Sequence, residues 1–407
     1  LQAGMVKGIS VALPAILILM AIGILIGAWV ASGVVPLLVV YGLKLLSPQI
    51  FLVAACLISA IVSIATGSSW STAGTVGVAL TGVGSGLDLP PAMVAGAVVS
   101  GAYFGDKLSP LSDTTNLAAG VAEVPLFTHI RHMLWTTVPS IVISLVIFAV
   151  LGAGVSGEAD REKVDSLVAL LESQFNLTPL LLLAPLAVIV LIAFRLPALP
   201  ALLAGGGVGA ALGLLTQDIT PAAMYTAMQT GYEAQEAGLA DLLDRGGLES
   251  MFWTIGIVLC AMAFGGLMEC TGMLATIAGA IRKVAVTTGR LVASTLATCL
   301  GMNILAPDQY LSIVVPGRMY KEAYDDAGLD RKNLTRGLED AGTLTSPLVP
   351  WNTCGATMAS ALKVNPVDYL PYAFFNLLCP VVSAALGFTG WTMAKRSQEP
   401  AKKNGER

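Results

Sequence analysis

Three aspartates lie in polar segments that interrupt apolar sequence: Asp106, Asp113 and Asp308. A carboxylate inside a membrane can hold either a cation or a proton, because burial favours the proton-bound form near neutral pH. We therefore rank them as exchanging groups, with Asp113 first, Asp308 second and Asp106 third. Asp113 and Asp308 could instead cap helices. Asp106 could cap a helix or pair with Lys107, and Lys107 could also occupy the cation site when it is empty.

Hydroxyl and amide side chains lie close to these aspartates in the sequence. Sodium, like other hard cations, prefers carboxylate, hydroxyl and carbonyl oxygens as ligands. A first ligand cluster is predicted from Asp113, Thr114, Thr115 and Asn116, completed by Thr66, Ser68 and Ser69. A second cluster is predicted from Asn303, Asp308, Asn352 and Thr353. Within the first cluster we assign Na+ to Asp113, Thr114 and Asn116.

Proline interrupts two of these polar segments. Segment 105–116 contains Ser109-Pro110, and segment 342–353 contains Ser346-Pro347 and Pro350. Pro110 and Pro347 are 237 residues apart, and the same offset relates the polar segments 66–72 and 303–309. Proline lacks a backbone donor, and a lipid environment tolerates broken backbone only where that backbone lines a site. Two matching broken helices therefore predict the binding site of a transporter.

Five further ionisable residues receive structural interpretations. Glu269 lies at the end of a predicted span, which favours an interfacial role over transport. Glu339 and Asp340 open the second broken span, where acidic residues favour a helix N-terminus. His129 and His132 precede a span predicted to begin at 134, which favours interfacial loop positions, with a pH-sensing role as the alternative.

The composition is that of a membrane protein. Hydrophobic residues make up 55% of the chain, only 12% of residues are charged, and the mean hydropathy is +0.78, whereas roughly a quarter of residues are charged in soluble proteins. Windows of about 20 apolar residues can span a bilayer, and they occur at 10–31, 134–152, 178–196, 198–215, 251–271 and 369–393. Shorter or interrupted apolar pieces occupy 33–47, 50–80, 92–122, 273–320 and 338–362.

Basic residues predict the orientation, because cytoplasmic loops retain Lys and Arg. With the C-terminal tail in the cytoplasm, 16 of the 22 basic residues lie inside, 5 lie outside and Lys107 lies within the membrane. The outside residues are Lys44, Arg161, Lys163, Arg245 and Lys363. This bias predicts a multi-pass protein of the inner (plasma) membrane with a cytoplasmic C-terminus.

The apolar segments follow the same order in two halves. Residues 1–152 are predicted to form a first repeat consisting of a span, a surface segment, a hairpin, a broken span and a final span; residues 251–394 form the second repeat. Residues 153–250 supply connecting spans and external loops, and 395–407 a cytoplasmic basic tail. Because the halves begin on opposite sides, we predict an all-α polytopic membrane protein built as an inverted-topology repeat, with two re-entrant hairpins and two broken transmembrane helices.

The polar segments also carry a family resemblance. The run Gly101-Ala-Tyr-Phe-Gly-Asp-Lys-Leu-Ser-Pro-Leu-Ser-Asp-Thr-Thr-Asn-Leu117, with the Gly- and Ser-rich run at 65–77 before it, resembles the NhaC-type Na+/H+ antiporter family of the ion transporter superfamily. Segments 303–309 and 346–353 resemble it too, so the likeness covers nearly the whole chain. It implies exchange of sodium for protons, or malate and lactate exchange coupled to these ions. The chain begins at Leu1 without a methionine, and family members carry further apolar segments before this point.

We therefore predict a secondary carrier that exchanges internal Na+ for external H+, with a Na+- or H+-coupled transporter of a small organic anion such as malate or lactate as the alternative. An intramembrane enzyme is disfavoured because the sequence has no His-Glu-x-x-His or Gly-x-Ser-x-Gly motif. A passive channel could also use broken helices, but duplicated hairpins with titratable groups favour exchange. The expected partners are the bilayer and the transported ions. We expect no nucleic acid and no further cofactor, and the sequence leaves an oligomer open.

Overall fold

The computed structural model describes residues 1–154, 161–194, 196–282 and 287–396. Within these residues the regular secondary structure is helical, with isolated backbone bridges such as that between Leu329 and Lys395. Most of the predicted basic tail, including Lys402, Lys403 and Arg407, lies outside the described residues, and so do Arg195 and Lys283.

The first part of the chain contains two helices that are interrupted and then resume. It comprises α1 (Gln2–Ala31), α2 (Val34–Leu45), α3 (Pro48–Thr66), α4 (Ser69–Thr72), α5 (Val78–Gly86), α6 (Pro91–Leu108), α7 (Asp113–Val121) and α8 (Leu126–Ala153). A π-helical segment, Ala73–Gly77, joins α4 to α5 without a break. The interruptions fall between α3 and α4 and between α6 and α7, which are the polar segments of the sequence.

The middle of the chain consists of five helices. They are α9 (Arg161–Gln174), α10 (Leu183–Ala193), α11 (Ala198–Thr216), α12 (Pro221–Gln229) and α13 (Ala237–Leu243). The connections predicted to be external loops thus contain α9 and α13, whose Val168, Leu171 and Leu242 are buried in the main hydrophobic core.

The last part of the chain repeats the order of the first. It comprises α14 (Phe252–Cys270), α15 (Met273–Arg282), α16 (Thr288–Leu305), α17 (Gln309–Asp326), α18 (Lys332–Gly337), α19 (Thr353–Leu362), α20 (Pro366–Tyr369) and α21 (Phe374–Thr389). A second π-helical segment, Leu338–Thr343, extends α18. The interruptions fall between α16 and α17 and between Thr343 and α19.

Among the described residues, five helices are long and apolar enough to cross a membrane: Gln2–Ala31, Pro48–Thr66, Leu126–Ala153, Ala198–Thr216 and Glu249–Cys270. Two helix pairs join them if each is a bent span: Val164–Gln174 with Pro179–Ile192, bent by 93°, and Pro366–Tyr372 with Phe374–Thr389, bent by 61°. The predicted spans at 178–196 and 369–393 fall within these bent pairs, and those at 10–31 and 134–152 begin earlier than predicted. The chain is a multi-pass, all-helical membrane protein, as its hydropathy predicted.

The two predicted surface segments differ from one another. In α2 the residues Val34 to Val40 are almost all buried, and Gly42 abuts Val83 of α5, so this helix lies in the core. The prediction of a surface position was wrong for most of α2, which is apolar and covered, although Lys44 and Leu45 at its C-terminal end are exposed. By contrast, Met273 and Ile277 of its counterpart α15 are exposed.

Small residues let the helices approach closely within one chain. A Cβ atom added at Gly101 would collide with the carbonyl oxygen of Cys56, and one at Gly105 with the carbonyl oxygen of Ala60. These contacts press α6 directly against the backbone of α3. The close approach fixes the end of α6, which carries Asp106, beside the end of α3.

Candidate cation site

The first broken helix is interrupted because of Pro110. Proline has no N–H and disfavours helical geometry in the residue before it, so α6 ends at Leu108 and Ser109 is extended. The hydroxyl of Ser109 donates to the carbonyl oxygen of Ile64 at 2.8 Å. Helix α7 resumes at Asp113, with the hydroxyl of Ser112 accepting from the N–H of Thr115. The break therefore places Asp113 in the first turn of a new helix.

Two of the predicted ligands secure this break. The hydroxyl of Thr115 donates to the carbonyl oxygen of Lys107 at 3.0 Å. The side-chain amide of Asn116 donates to the carbonyl oxygens of Pro110 at 2.9 Å and Ser112 at 2.8 Å. Thr115 and Asn116 thus satisfy the carbonyl groups of Lys107 and Pro110, which the interruption leaves without helical partners, and Asn116 adds a second donor to the carbonyl group of Ser112.

The tip between α3 and α4 faces this break. Helix α3 ends at Gly67, whose φ of +67° favours glycine, and a Cβ there would lie 2.7 Å from the backbone carbon of Leu111. Ser68 caps α4 by accepting from the N–H of Ser71 at 3.1 Å. The hydroxyl of Thr66 lies 3.4 Å from that of Thr72. Only a residue without a side chain fits at the point where the tip meets the break.

Asp106 joins the first broken helix to the tip. One oxygen of its buried carboxylate accepts from the backbone N–H of Ser69 at 3.1 Å and from the hydroxyl of Ser69 at 2.7 Å. This contact with the first residue of α4 is in keeping with a capping role for Asp106. The alternative of an ion pair with Lys107 was wrong, because the lysine side chain leaves α6 in another direction and pairs with Asp340.

These groups line one cavity of about 850 Å³. Its polar lining consists of Thr66, Ser68, Ser69, Asp106, Asp113, Thr114 and Asn116 from the first part of the chain, with Gln309 and Tyr310 from α17. Pro110 also lines it, and apolar walls come from α1, the start of α8, and the connection between α10 and α11. The cavity is thus lined by six of the seven residues of the first predicted cluster, and also by Asp106. The seventh residue, Thr115, does not line it.

The cavity has an electrostatic preference. The carboxylates of Asp106 and Asp113 are the charged side chains among its described lining, and hydroxyl groups stand beside them. Asp113 is exposed to the cavity, whereas Asp106 is largely covered. Carboxylates together with hydroxyl oxygens suit a hard cation.

Asp308 lies at the second interruption and caps a helix. Its carboxylate accepts from the backbone N–H groups of Tyr310 at 2.9 Å and Leu311 at 3.1 Å, at the N-terminus of α17. Its exposed fraction is 1%, and it is not among the residues that line the cavity. The capping alternative is the one that the geometry supports.

The other members of the second predicted cluster form a hydrogen-bonded joint. The amide of Asn303 donates to the carbonyl oxygen of Gly342 at 2.8 Å and to the hydroxyl of Thr345 at 2.9 Å. The amide of Asn352 donates to the side-chain oxygen of Asn303 at 3.1 Å, and the N–H of Thr353 donates to the carbonyl oxygen of Pro307 at 3.0 Å. These contacts hold the two interruptions together, away from the cavity.

The second broken helix is closed around its prolines. The hydroxyl of Ser346 donates to the carbonyl oxygen of Thr343 at 2.6 Å. The carbonyl oxygen of Pro347 accepts from the buried hydroxyl of Tyr369, and Pro350 is half-buried at the turn before α19. The backbone groups freed by this break are thus partly satisfied by protein, which is what a buried break requires.

Glu339 and Asp340 do not lie at a helix N-terminus. Helix α18 begins at Lys332, and the π-helical segment that follows carries both residues at 0% exposure. Asp340 pairs with Lys107 and accepts from the hydroxyl of Thr136 at 2.9 Å. The predicted helix N-terminus at Glu339 was wrong because the polar and charged sequence at 331–336 resembles a loop, whereas the helix already begins there.

The two histidines are buried in α8 instead of preceding it. His129 is 0% exposed, and Nε2 of His132 lies 3.0 Å from the side-chain oxygen of Asn333. The helix begins at Leu126, eight residues before the predicted start, so the interfacial loop interpretation was wrong. Glu269, by contrast, forms an exposed ion pair with Lys7 at 2.8 Å, in keeping with its predicted position at a helix end.

Sequence reasoning missed the two cavity residues from the last part of the chain. Gln309 and Tyr310 directly follow Asp308, inside the polar segment that the 237-residue offset had identified. Because the carboxylate of Asp308 is turned to the backbone of α17, its neighbours take the cavity positions instead. The position of the polar segment indicated these cavity residues, whereas its acidic residue, Asp308, did not.

Comparisons with known proteins identify relatives of this chain by sequence. A sequence model of the Na+/H+ antiporter family matches residues 101–391. The protein named Na+/H+ antiporter NhaC of Alkalihalophilus pseudofirmus is 41% identical over 408 residues, covering 100% of this chain and 88% of the relative. NhaC of Bacillus subtilis is 42% identical over 395 residues, covering 95% and 86%. The malate-2H+/Na+-lactate antiporter of Bacillus subtilis is 38% identical over 393 residues, covering 96% and 84%.

Proposed function

Because this chain belongs to the Na+/H+ antiporter family, we propose that it exchanges Na+ for H+ across the membrane by alternating access. The observation that carries the proposal is the cavity at the first broken helix, where Asp106 and Asp113 face a common space beside hydroxyl groups. A carboxylate there can hold a cation or a proton but is poorly suited to hold both, which is the requirement for exchange.

The Na+ ligands that we propose are Asp113 and the groups around it. Asp113 is the most accessible carboxylate of the cavity, and Thr114 and the side-chain oxygen of Asn116 lie within one turn of α7. Asp106 and Ser69, which already share a hydrogen bond, complete the site from the opposite wall. A cation bound between these walls would connect the broken helix to the tip.

The inverted repeat is part of the proposal. Residues 1–152 and 251–394 share the same order of elements, and the breaks after Ser109 and Ser346 fall at the same offset as in the sequence. Residues 153–250 connect the two repeats. A binding site at the breaks of two such repeats fits carriers that rock one part of the protein against another.

Ion pairs support the predicted orientation. Glu123, between α7 and α8, pairs with Lys321 and with Arg331, each at 2.7 Å, and these two cations hold the pKa of Glu123 below its usual value. All three belong to regions assigned to the cytoplasm. On the side assigned to the exterior, Lys44 pairs with Glu172 at 2.7 Å. Residues assigned to one side thus meet each other, as an inner-membrane protein with a cytoplasmic C-terminus requires.

We further propose that this conformation faces the cytoplasm. The cavity is bounded by Leu126 and Phe127 at the start of α8, and by Leu196 and Leu199 between α10 and α11. Both places lie at the end of the helices that the basic residues assign to the cytoplasm. An opening there admits internal Na+.

The test is Na+-evoked proton movement in proteoliposomes, followed with a pH-sensitive dye. Asp113→Asn and Asp106→Asn are expected to reduce it at least about tenfold, the loss that corresponds to roughly 1.4 kcal/mol of binding free energy. Asp326→Asn, at an exposed aspartate at the end of α17, is the matched control. Wild-type protein that moves no protons in response to Na+ would contradict the proposed function. Unchanged flux in both cavity variants would contradict the proposed site.

Transport of a small organic anion is the second candidate. The cavity of about 850 Å³ exceeds the need of one hydrated ion, since a water occupies about 30 Å³ in the liquid. One relative is named a malate-2H+/Na+-lactate antiporter. The two carboxylates would oppose an anion unless Na+ or protons enter with it. Adding malate or lactate separately to the same proteoliposomes distinguishes the candidates: proton movement that requires the organic acid would favour this one.

A further inference from the structure

A second polar centre lies outside the cavity, inside the protein. Glu339 is 0% exposed, and neither oxygen of its carboxylate has a hydrogen-bond partner among the described residues. The hydroxyl of Thr343, one turn further along, also makes no hydrogen bond of normal geometry, although it lies close enough to the Glu339 carboxyl group to interact with it. Buried polar groups are nearly always paired, so this pair of groups calls for an explanation.

Glu339 forms no ion pair with the described cations around it, including Arg336 one turn earlier on the same helix. Lys107 and Asp340 are both 0% exposed and form an ion pair, so their charges cancel. Thr136 and Cys379 make further contacts to that pair. An additional bare carboxylate in such a place is strongly unfavourable, whereas the neutral acid is tolerated. The arrangement therefore suits Glu339 with a bound proton.

The π-helical segment that carries Glu339 packs against α6, whose end carries the cavity residue Asp106, so the two carboxyl groups interact electrostatically. Ionisable groups face this centre from each side: Asp106 and Lys107 on α6, Cys299 on α16, Tyr324 on α17, Arg336 on α18, Cys379 on α21, His129 on α8 and Asp340 beside it. Among them, Asp106 is the cavity carboxylate. Two neighbouring carboxylates resist being ionised together unless a cation neutralises one of them.

We propose that Glu339 is a proton-binding site of the exchange cycle, separate from the cation site in the cavity. Glu339 holds its proton while the cavity is empty. When Na+ binds beside Asp106, its positive charge allows the Glu339 carboxyl group to release the proton to water, and the total charge of the two sites is conserved. This inference rests on the proposed Na+/H+ exchange. It adds competition through charge, without a shared ligand, to the competition at the cavity carboxylates, and the coupling is reciprocal.

The variant Glu339→Gln tests this assignment, because glutamine has nearly the same shape and cannot carry the proton. Two rates are measured in proteoliposomes: Na+-evoked proton movement, and exchange of radioactive Na+ for unlabelled Na+ at equal pH. We expect Glu339→Gln to lose proton movement at least about tenfold while Na+/Na+ exchange stays within about twofold of wild type. The conservative variant Glu339→Asp should recover part of the proton movement. Glu322→Gln, at an exposed glutamate of α17, should change neither rate.

Each other outcome overturns the inference. Wild-type proton movement in Glu339→Gln would show that the residue carries no exchanged proton. Loss of both rates in a variant that remains monodisperse and folded would assign Glu339 to the structure or to cation binding. Wild-type protein that exchanges Na+ without moving protons would remove the proposed function itself, and this is seen before any variant is compared.

Discussion

The two broken helices have similar sequences at their interruptions but are surrounded by different side chains. At the first, the carboxylates of Asp106 and Asp113 face a cavity. At the second, Asn303 and Asn352 fill the interruption with hydrogen bonds. An amide carries both donors and acceptors and can satisfy broken backbone on its own, whereas an ionised carboxylate only accepts. The two breaks thus differ in the side chains that face them, with carboxylates at the cavity beside the first and amides in the joint at the second.

The 237-residue offset makes the difference explicit. It relates Asp106 to Thr343 and Asp113 to Pro350, so the second break has no carboxylate at either corresponding position. Two buried acidic residues of the second half, Glu339 and Asp340, lie instead in the helix before the break. The two breaks therefore differ in where their carboxylates lie.

The largest expected effect comes from the ion pair that connects the two broken helices. Lys107→Met leaves Asp340 buried without a counter-ion and should lower the free energy of unfolding by roughly 3–5 kcal/mol. Thermal unfolding in detergent measures this as a large drop in Tm. Lys44→Met, which removes an exposed ion pair, is the control and should change little. A Lys107→Met protein as stable as wild type would mean that the two breaks are held together by other contacts.

A smaller effect is expected at the tip that meets the first break. Gly67→Ala places a residue with a Cβ at a φ of +67°, at a cost of roughly 1–2 kcal/mol, and also pushes against Leu111. Gly328→Ala has the same φ and open space around it, so it carries the backbone cost alone. Both variants should lose stability, but only Gly67→Ala should reduce Na+-evoked proton movement. Equal transport in the two would argue that the tip does not shape the cavity.

The smallest expected effect on stability is at Asp308, where it distinguishes a helix-capping role from a role as a cation ligand. Asp308→Ala removes the cap of α17 and should cost about 1 kcal/mol, while Asp308→Asn, another good capping residue, should restore most of that stability. Because Asp308 faces backbone N–H groups, both variants should keep Na+-evoked proton movement. A stable Asp308→Asn protein without transport would return Asp308 to the cation site and remove the contrast between the two breaks.

Much of the fold follows from the sequence, because it depends on local signals. Prolines at 110 and 347, and the shared offset, locate both breaks, and hydropathy locates most of the long helices. The starts of α8 and α18 were placed too late, since His129, His132 and Arg336 suggest exposed sequence although all three are buried. Hydropathy alone therefore does not identify polar residues that are buried in the core.

The candidate site was predictable only in its first half. Residues from Thr66 to Asn116 lie on two neighbouring elements, so their convergence follows from the order of the chain. The roles of Asp106 and Asp308 are distinguished by the groups that they face, which no local pattern specifies. The contact between Lys107 and Asp340 joins residues 233 positions apart and needs the folded structure to be seen.

The chain order of Asp106 and Lys107 has a mechanical consequence. Their Cα atoms are held about 3.8 Å apart by one trans peptide unit, yet one side chain reaches the hairpin tip and the other reaches Asp340 in the opposite half of the protein. Coupling between distant sites usually passes through many packed side chains. Here the two side chains are joined by one peptide unit. A displacement of Asp340 relative to α6 that moves Lys107 therefore also moves Asp106, which lines the cavity.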